Sequence, residues 1–65
     1  MNITNTTFIA QLPQPMQEEI YQACKEWGIR EGVHDLEETL ENIMCDRLCN
    51  VEDIIDITPY VGLEV

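Results

Sequence analysis

Residues 34 to 57 read HDLEETLENIMCDRLCNVEDIIDI, and they combine a clear helical period with the densest run of acids in the chain. Placed on a helix at 100° per residue, the apolar residues of this stretch fall within an arc of roughly 140° and the acids occupy most of the remainder. The apolar positions are Leu36, Leu40, Ile43, Met44 and Leu48. The stretch therefore predicts an amphipathic helix over residues 34–48, with one face for the core and an anionic face for solvent.

Arg47 is the exception to this pattern, because the same helical wheel places its guanidinium inside the apolar arc. An unpaired guanidinium would be costly to bury. The following residues resemble a helix start, with Asn50 as the N-cap and the acids Glu52 and Asp53 in the first turn. We therefore predict a short helix near residues 51–57 that folds its isoleucines onto the same apolar face and supplies partners for Arg47.

A second amphipathic pattern lies between Pro15 and Gly28. Proline suits the first helical position, where its missing N–H is not needed, and glycine suits the C-cap. One side of this segment is apolar and carries Met16, Ile20, Ala23, Cys24 and Trp27. The pattern predicts a helix over residues 15–27, with Trp27 as its largest core residue.

The segments around these two helices are shorter. Residues 29–33 form a brief link, which predicts antiparallel helices, and Ile29 and Val33 are expected to close the end of the core. A short helix near residues 7–12 is predicted because its apolar residues recur at helical spacing before Pro13, with a strand over residues 3–9 as the alternative.

The predicted fold is all-α, a small helical bundle in a single domain over residues 1–65. Two main antiparallel amphipathic helices carry the core, and short helices flank them. Residues 58–65 follow as an extended C-terminal tail. This tail either packs across the helices or is offered to a partner.

The charge of the chain narrows the class of partner. Thirteen acidic and three basic residues give the 65-residue chain a formal charge of −10, and Lys25, Arg30 and Arg47 do not cluster. Direct binding to nucleic acid or to an anionic membrane is disfavoured, because both need positive charge on the protein. A basic protein surface is the expected partner. The core of so short a chain is thin, so a homodimer is left open.

The sequence contains few residues suited to catalysis or metal binding. The chain has no Ser, one His and no glycine-rich phosphate loop, and we predict no catalytic residue, metal or cofactor. The absence of a CxxC pair argues against a structural zinc site, and the three thiols are interpreted as small buried apolar groups. A redox or metal module built on these thiols is one alternative function. With no leader or long apolar run in the sequence, we expect a cytoplasmic protein with free thiols. The thiols are Cys24, Cys45 and Cys49.

The acidic face is the candidate partner-binding site. Carboxylates on successive helical turns lie about 5 to 6 Å apart, close to the separation of phosphates along a nucleic-acid strand. The predicted contacts are Glu37, Glu38, Glu41, Asp46, Glu52, Asp53 and Asp56. A face that only keeps the protein in solution is one alternative. Another is a self-associating or scaffolding domain whose apolar contacts are Trp27, Tyr60, Val61 and Leu63.

Three motifs carry a resemblance to a known family. They are Phe8-Ile9-x-x-Leu12-Pro13, Gln17-x-x-Ile20 and Asp46-Arg47-Leu48-Cys49-Asn50-x-Glu52-Asp53. Together they resemble a family of small acidic helical proteins of bacterial phages and mobile elements, a family without an established activity. The resemblance implies a protein that binds and blocks a host protein. By analogy of size, charge and setting, anti-CRISPR inhibitors do this by presenting carboxylates to the nucleic-acid channel of a nuclease.

Overall fold

The computed structural model describes residues 2–63, and within that range the chain forms a small all-α bundle of two main helices packed together. Helix α1 spans Gln14–Glu31 and helix α2 spans Leu36–Met44. Three short 3₁₀ turns flank them, at Ile9–Gln11, Leu48–Val51 and Thr58–Tyr60. The end of α2 lies beside the first half of α1, where Met44 and Tyr21 line one groove, so the two helices are antiparallel as predicted.

Helix α1 is longer than predicted, and Gly28 is not its C-cap. The helix continues to Gly32, whose left-handed φ of 72° ends it and whose N–H donates to the carbonyls of Gly28 and Ile29. Gly28 is buried, and a Cβ there would collide with the Leu36 side chain. Gly28 therefore allows α2 to approach α1 closely, whereas Gly32 supplies the left-handed conformation that glycine adopts without steric cost.

The predicted core faces of both helices are confirmed, except that Trp27, predicted as the largest core residue of α1, is half-buried and lies outside the buried core cluster. Ile20, Cys24, Leu40 and Leu48 are each at most 2% exposed, and the other apolar residues of α2 pack half-buried against them. The isoleucines after α2 also fold back onto this core: Ile57 is buried, and Ile54 and Ile55 are half-buried. The complete buried set is Ile3, Ile9, Leu12, Ile20, Cys24, Leu40, Leu48, Val51 and Ile57.

The expectation that Ile29 closes the end of the core is wrong. Its side chain is 64% exposed, whereas Val33 and Trp27 are half-buried. Because α1 remains helical past Gly28, Ile29 follows Ile20 by nine residues, which at 100° per residue is about half a turn of the wheel. A side chain opposite the buried Ile20 must point to solvent.

Helix α2 ends earlier than predicted, and no helix covers residues 51–57. The chain turns after Met44 and forms a 3₁₀ turn at Leu48–Val51 that contains Asn50, so Asn50 is not an N-cap. The Asp46 carboxylate holds this turn, because its Oδ1 accepts the N–H of Arg47 at 2.9 Å and the side-chain amide of Asn50. These local hydrogen bonds of Asp46 therefore take the place of the helical hydrogen bonds that would have continued α2.

Arg47 leaves the apolar arc as a result of this turn. Its side chain is exposed, and its guanidinium carbon lies 5.4 Å from the centre of the Phe8 ring, a cation–π contact. The backbones of the two residues form an isolated antiparallel bridge. The predicted partners, carboxylates or helix-end carbonyls from residues 51–57, are thus replaced by an aromatic ring from the N-terminal segment.

The N-terminal segment is mostly extended and is held by backbone hydrogen bonds to the loop after α2. The N–H groups of Leu48 and Cys49 donate to the carbonyls of Thr7 and Asn5 at 2.8 and 2.6 Å. Only the 3₁₀ turn at Ile9–Gln11 remains of the predicted short helix over residues 7–12. The segment before it therefore pairs with another part of the chain instead of forming its own helix.

The described part of the C-terminal tail packs on the fold. Ile3 donates its N–H to the carbonyl of Leu63, and Gly62 donates its N–H to the carbonyl of Ile3, each at 2.7 Å. The last two residues of the predicted tail, 64 and 65, lie outside the described residues. The N-terminal and C-terminal segments thus meet side by side. None of the helices within residues 2–63 is at once long enough and apolar enough to cross a bilayer.

Candidate partner-binding surface

Every acidic residue between positions 2 and 63 is exposed. The basic residues are also exposed, but they are few: Lys25 and Arg30 lie on α1, and Arg47 precedes the second 3₁₀ turn. The described surface therefore presents a negative potential to any partner, which favours fast, salt-dependent association with a basic surface.

Three of the predicted contact residues lie on α2. Glu37 and Glu38 stand in its first turn, where the positive end of the helix dipole stabilises carboxylates, and Glu41 follows one turn later. At 100° per residue, Glu38 lies about 160° from the buried Leu40. Glu41 lies about 100° and Glu37 about 60° from Leu40, so Glu38 faces away from the core, the other two lie nearer its edge, and all three are exposed.

The other predicted contact residues follow α2, and two of them have local structural roles. Asp46 holds the turn before Leu48, as described above. Asp56 Oδ1 accepts the backbone N–H of Thr58 at 3.0 Å. Hydrogen bonds from the side chain and the backbone of Thr58 lower the pKa of Asp56 below its ordinary value. Glu52 and Asp53 are exposed just after the second 3₁₀ turn.

Sequence reasoning missed a depression between α1 and the C-terminal segment. Its volume is about 630 Å³, and Glu18, Glu19, Glu26 and Tyr60 line it together with Ala23. On a helical wheel these glutamates belong only to the solvent side of α1. The structure adds an aromatic side chain to them because the third 3₁₀ turn lies against this part of α1.

Tyr60 is held in place by one of these glutamates. Its hydroxyl donates to Glu19 Oε2 at 3.2 Å, and its ring packs half-buried against the core cluster. Burial raises the pKa of the Tyr60 hydroxyl, and the hydrogen bond to Glu19 and the charge of Glu19 raise it further. The hydroxyl therefore remains a protonated donor at neutral pH.

A second groove lies between α1 and the end of α2, with a volume of about 420 Å³. We call it the Tyr21 groove, and it is lined by Gln14, Gln17, Glu18, Tyr21, Gln22 and Met44. Tyr21 is 37% exposed there, and Met44 is half-buried. Tyr21 is not among the apolar residues that the sequence pattern assigned to the core side of α1, and Met44, which lines the same groove, comes from the other helix. Glu18 and Gln22 line both this groove and the depression beside Tyr60.

No protein-family model, curated protein or solved structure matches this chain. The function must therefore be inferred from the chemistry of its own surface.

The predicted apolar contacts have different degrees of exposure. Trp27 and Tyr60 are half-buried, whereas Val61 and Leu63 are 37% and 38% exposed. Leu63 also belongs to the backbone pairing with Ile3. The four residues remain a predicted apolar surface. Three of them, Tyr60, Val61 and Leu63, lie in the C-terminal segment, which also stabilises the fold.

The sequence analysis expected all three thiols to be buried, and this expectation is wrong for two of them. Cys24 is buried, Cys49 is half-buried and Cys45 is exposed at the end of α2. Within residues 2–63, no group of three His, Cys, Asp or Glu side chains is placed to hold a metal ion. A third depression, of about 510 Å³, is formed by the consecutive residues 34–38 at the start of α2 and joins no other element.

The different burial of the thiols predicts a fixed order of alkylation. Burial raises the pKa of the Cys24 thiol, and the thiolate is the reactive form. With iodoacetamide near pH 8, Cys45 should react first, Cys49 more slowly and Cys24 only on the timescale of unfolding. Mass spectrometry of digested samples would follow each site, with a urea-unfolded sample as the control. Equal rates at Cys24 and Cys45 in the folded protein would contradict this core.

Proposed function

We propose that this protein binds a basic surface of another protein through the acidic face formed by α2 and the turns that follow it. The exposure of every carboxylate within residues 2–63, in a chain of charge −10, is the observation that supports this proposal. The partner surface is one that normally holds nucleic acid, so the protein acts as an inhibitor that mimics nucleic acid. This agrees with the resemblance to small acidic proteins of phages and mobile elements.

The spacing of the carboxylates supports a nucleic-acid-like surface. Glu37 and Glu41 are about one helical turn apart, which for four residues is about 6 Å along the axis. Like charges at this spacing destabilise an isolated helix by a few tenths of a kcal/mol per pair. The Glu37–Glu41 pair therefore does not stabilise α2 through its own interaction. A basic partner would remove this repulsion and release counterions from its own nucleic-acid site.

Reversal of two charges on α2 tests the proposal. The double variant Glu38→Lys/Glu41→Lys should lose the partner, because both carboxylates lie on the solvent side of α2. The protein is immobilised and exposed to a lysate of the organism that encodes it, at low and at high salt, and bound proteins are identified by mass spectrometry. We expect the unaltered chain to retain a basic protein at low salt and to release it at high salt.

The matched control is Glu26→Lys/Glu31→Lys on α1, which changes the net charge by the same amount. This control should retain the partner. Circular dichroism should show equal helical content in all three proteins at both salt concentrations, because every altered side chain is exposed. Retention of the same proteins by Glu38→Lys/Glu41→Lys and by the unaltered chain would refute the proposal.

A further inference from the structure

We infer that the Tyr21 groove seats an apolar side chain from a positively charged helix of the partner protein. This inference rests on the proposed function, because it assumes a basic protein partner. It adds a second contact surface, on α1 and the end of α2, which the sequence did not indicate.

The floor of the groove suits an apolar side chain. Tyr21 from α1 and Met44 from α2 both line it, and its volume is about 420 Å³. Tyrosine supplies a large, rigid contact area with a polar tip, and methionine adapts its shape to different partners. Both residue types are enriched at protein interfaces. The volume lies within the range of roughly 300–1,000 Å³ that is typical of binding sites.

One wall of the groove is already ordered. The Gln17 amide donates to the carbonyl of Leu12 at 2.7 Å and to that of Ala10 at 3.2 Å. These bonds fix the start of α1 against the preceding 3₁₀ turn. A groove with a fixed wall loses less conformational entropy on binding than a mobile surface does.

The charges around the groove select a basic occupant. Glu18 lines the groove on α1. On α2, Glu37 and Glu41 lie about 20° and about 60° from Met44 on the helical wheel, so both face the same side as the groove. Lys25 is the basic residue on this side, one turn after Tyr21. A neutral or acidic segment would meet a net negative field here, whereas Lys and Arg side chains would be attracted to it.

These features together favour a helix as the occupant. A groove between two packed helices accepts the apolar side chains that a third helix presents at positions i and i+4. The basic residues of the same helix would then face Glu18 on one side and Glu37 and Glu41 on the other. The occupant is therefore an amphipathic basic helix with an apolar anchor.

Two synthetic helical peptides test this inference. Both carry the same Lys and Arg residues, but one has Leu at positions i and i+4 and the other has Ala there. Each is titrated into the full chain, with NMR signals of the Met44 methyl group and the Tyr21 ring as the readout. We expect the Leu peptide to bind about tenfold more tightly than the Ala peptide, because burial of a leucine side chain yields at least that factor.

Four variants locate the contact. Tyr21→Ala should reduce the affinity for the Leu peptide to that for the Ala peptide. Ile29→Ala, also an exposed apolar residue of α1 but outside the groove, should change neither affinity. Glu18→Lys should lower the affinity for both peptides without changing the core, and Lys25→Gln should raise the affinity for both.

The possible failures separate the two proposals. Equal affinities of the two peptides, or an unchanged Leu-peptide affinity in Tyr21→Ala, would overturn the groove and leave the acidic face as the partner site. If neither peptide binds at low salt, both the groove and the proposed basic partner are refuted. Tyr21→Ala should unfold cooperatively at a lower temperature than the unaltered chain, because its side chain is 37% exposed and its loss removes apolar burial on α1.

Discussion

Replacing Ile20 by Ala should leave much of the protein unfolded, whereas the same replacement at Ile29 should change the free energy of unfolding by less than about 0.5 kcal/mol. Both isoleucines lie on α1, but Ile20 is 0% exposed and Ile29 is 64% exposed. Truncating a buried isoleucine to alanine costs about 2–5 kcal/mol, since it removes apolar burial and leaves a cavity. A chain of this length rarely has more than about 3–5 kcal/mol of stability in total.

Urea unfolding followed by circular dichroism measures this difference. The midpoint for Ile29→Ala should coincide with that of the unaltered chain. Ile20→Ala should begin to unfold without urea. Equal midpoints for the two variants would mean that α1 does not bury the face described here, and the packing of α1 against α2 would have to be revised.

Ending the chain after Thr58 should destabilise the fold by about 2–4 kcal/mol. The deletion removes the half-buried Tyr60 and both backbone hydrogen bonds that join Ile3 to residues 62–63. It also uncovers Ile3, which is 3% exposed in the full chain. Each lost hydrogen bond contributes about 1 kcal/mol, and lost apolar burial at Tyr60 and Ile3 accounts for the rest.

Leu63→Ala is the control for this deletion. It keeps the backbone pairing with Ile3 and shortens a side chain that is already 38% exposed, so its urea midpoint should shift far less. A truncated chain as stable as the full one would show that the tail does not contribute to the fold.

The result also bears on the alternative of an apolar partner surface. Loss of association after truncation would reflect unfolding, so Val61→Ser/Leu63→Ser is the better test of that alternative.

The apolar faces of the two main helices could be predicted because they depend on local spacing. Residues such as Ile20 and Cys24 recur at the helical period, and so do Leu40 and Met44, and a helix with such a face is stable only when that face is covered. The exposed carboxylates of α2 follow from the same pattern, since they occupy the other side of the wheel. The all-α class and the solvent side of α2 therefore needed no tertiary information.

Gly28 and Gly32 show a limit of prediction from local sequence. Gly28 and Gly32 both suit a helix C-cap, and nothing near either residue in the sequence distinguishes them. The choice depends on α2, because the Leu36 side chain occupies the space that a Cβ at Gly28 would need. The wrong choice of cap moved the end of α1 and, with it, the expected position of Ile29.

The contacts of Arg47, Tyr60 and Tyr21 were beyond prediction for a related reason. Arg47 meets Phe8, and Tyr60 meets Glu19 across a separation of 41 residues. Tyr21 lines one groove with Met44 from the end of the neighbouring helix. Helical periodicity describes which residues share a face of one element, but it does not say which element covers that face.

Two amphipathic helices, a core of aliphatic side chains and a strongly negative surface follow from the amino-acid sequence, because spacing and charge act within single segments. The end of α1, the pairing of the two terminal segments and the side chains that stand beside the carboxylates of α1 depend on the packed fold. Those outcomes depend on contacts between residues far apart in the chain. The close approach of Leu36 to Gly28 and the seating of Tyr60 against Glu19 exist only once the helices have packed.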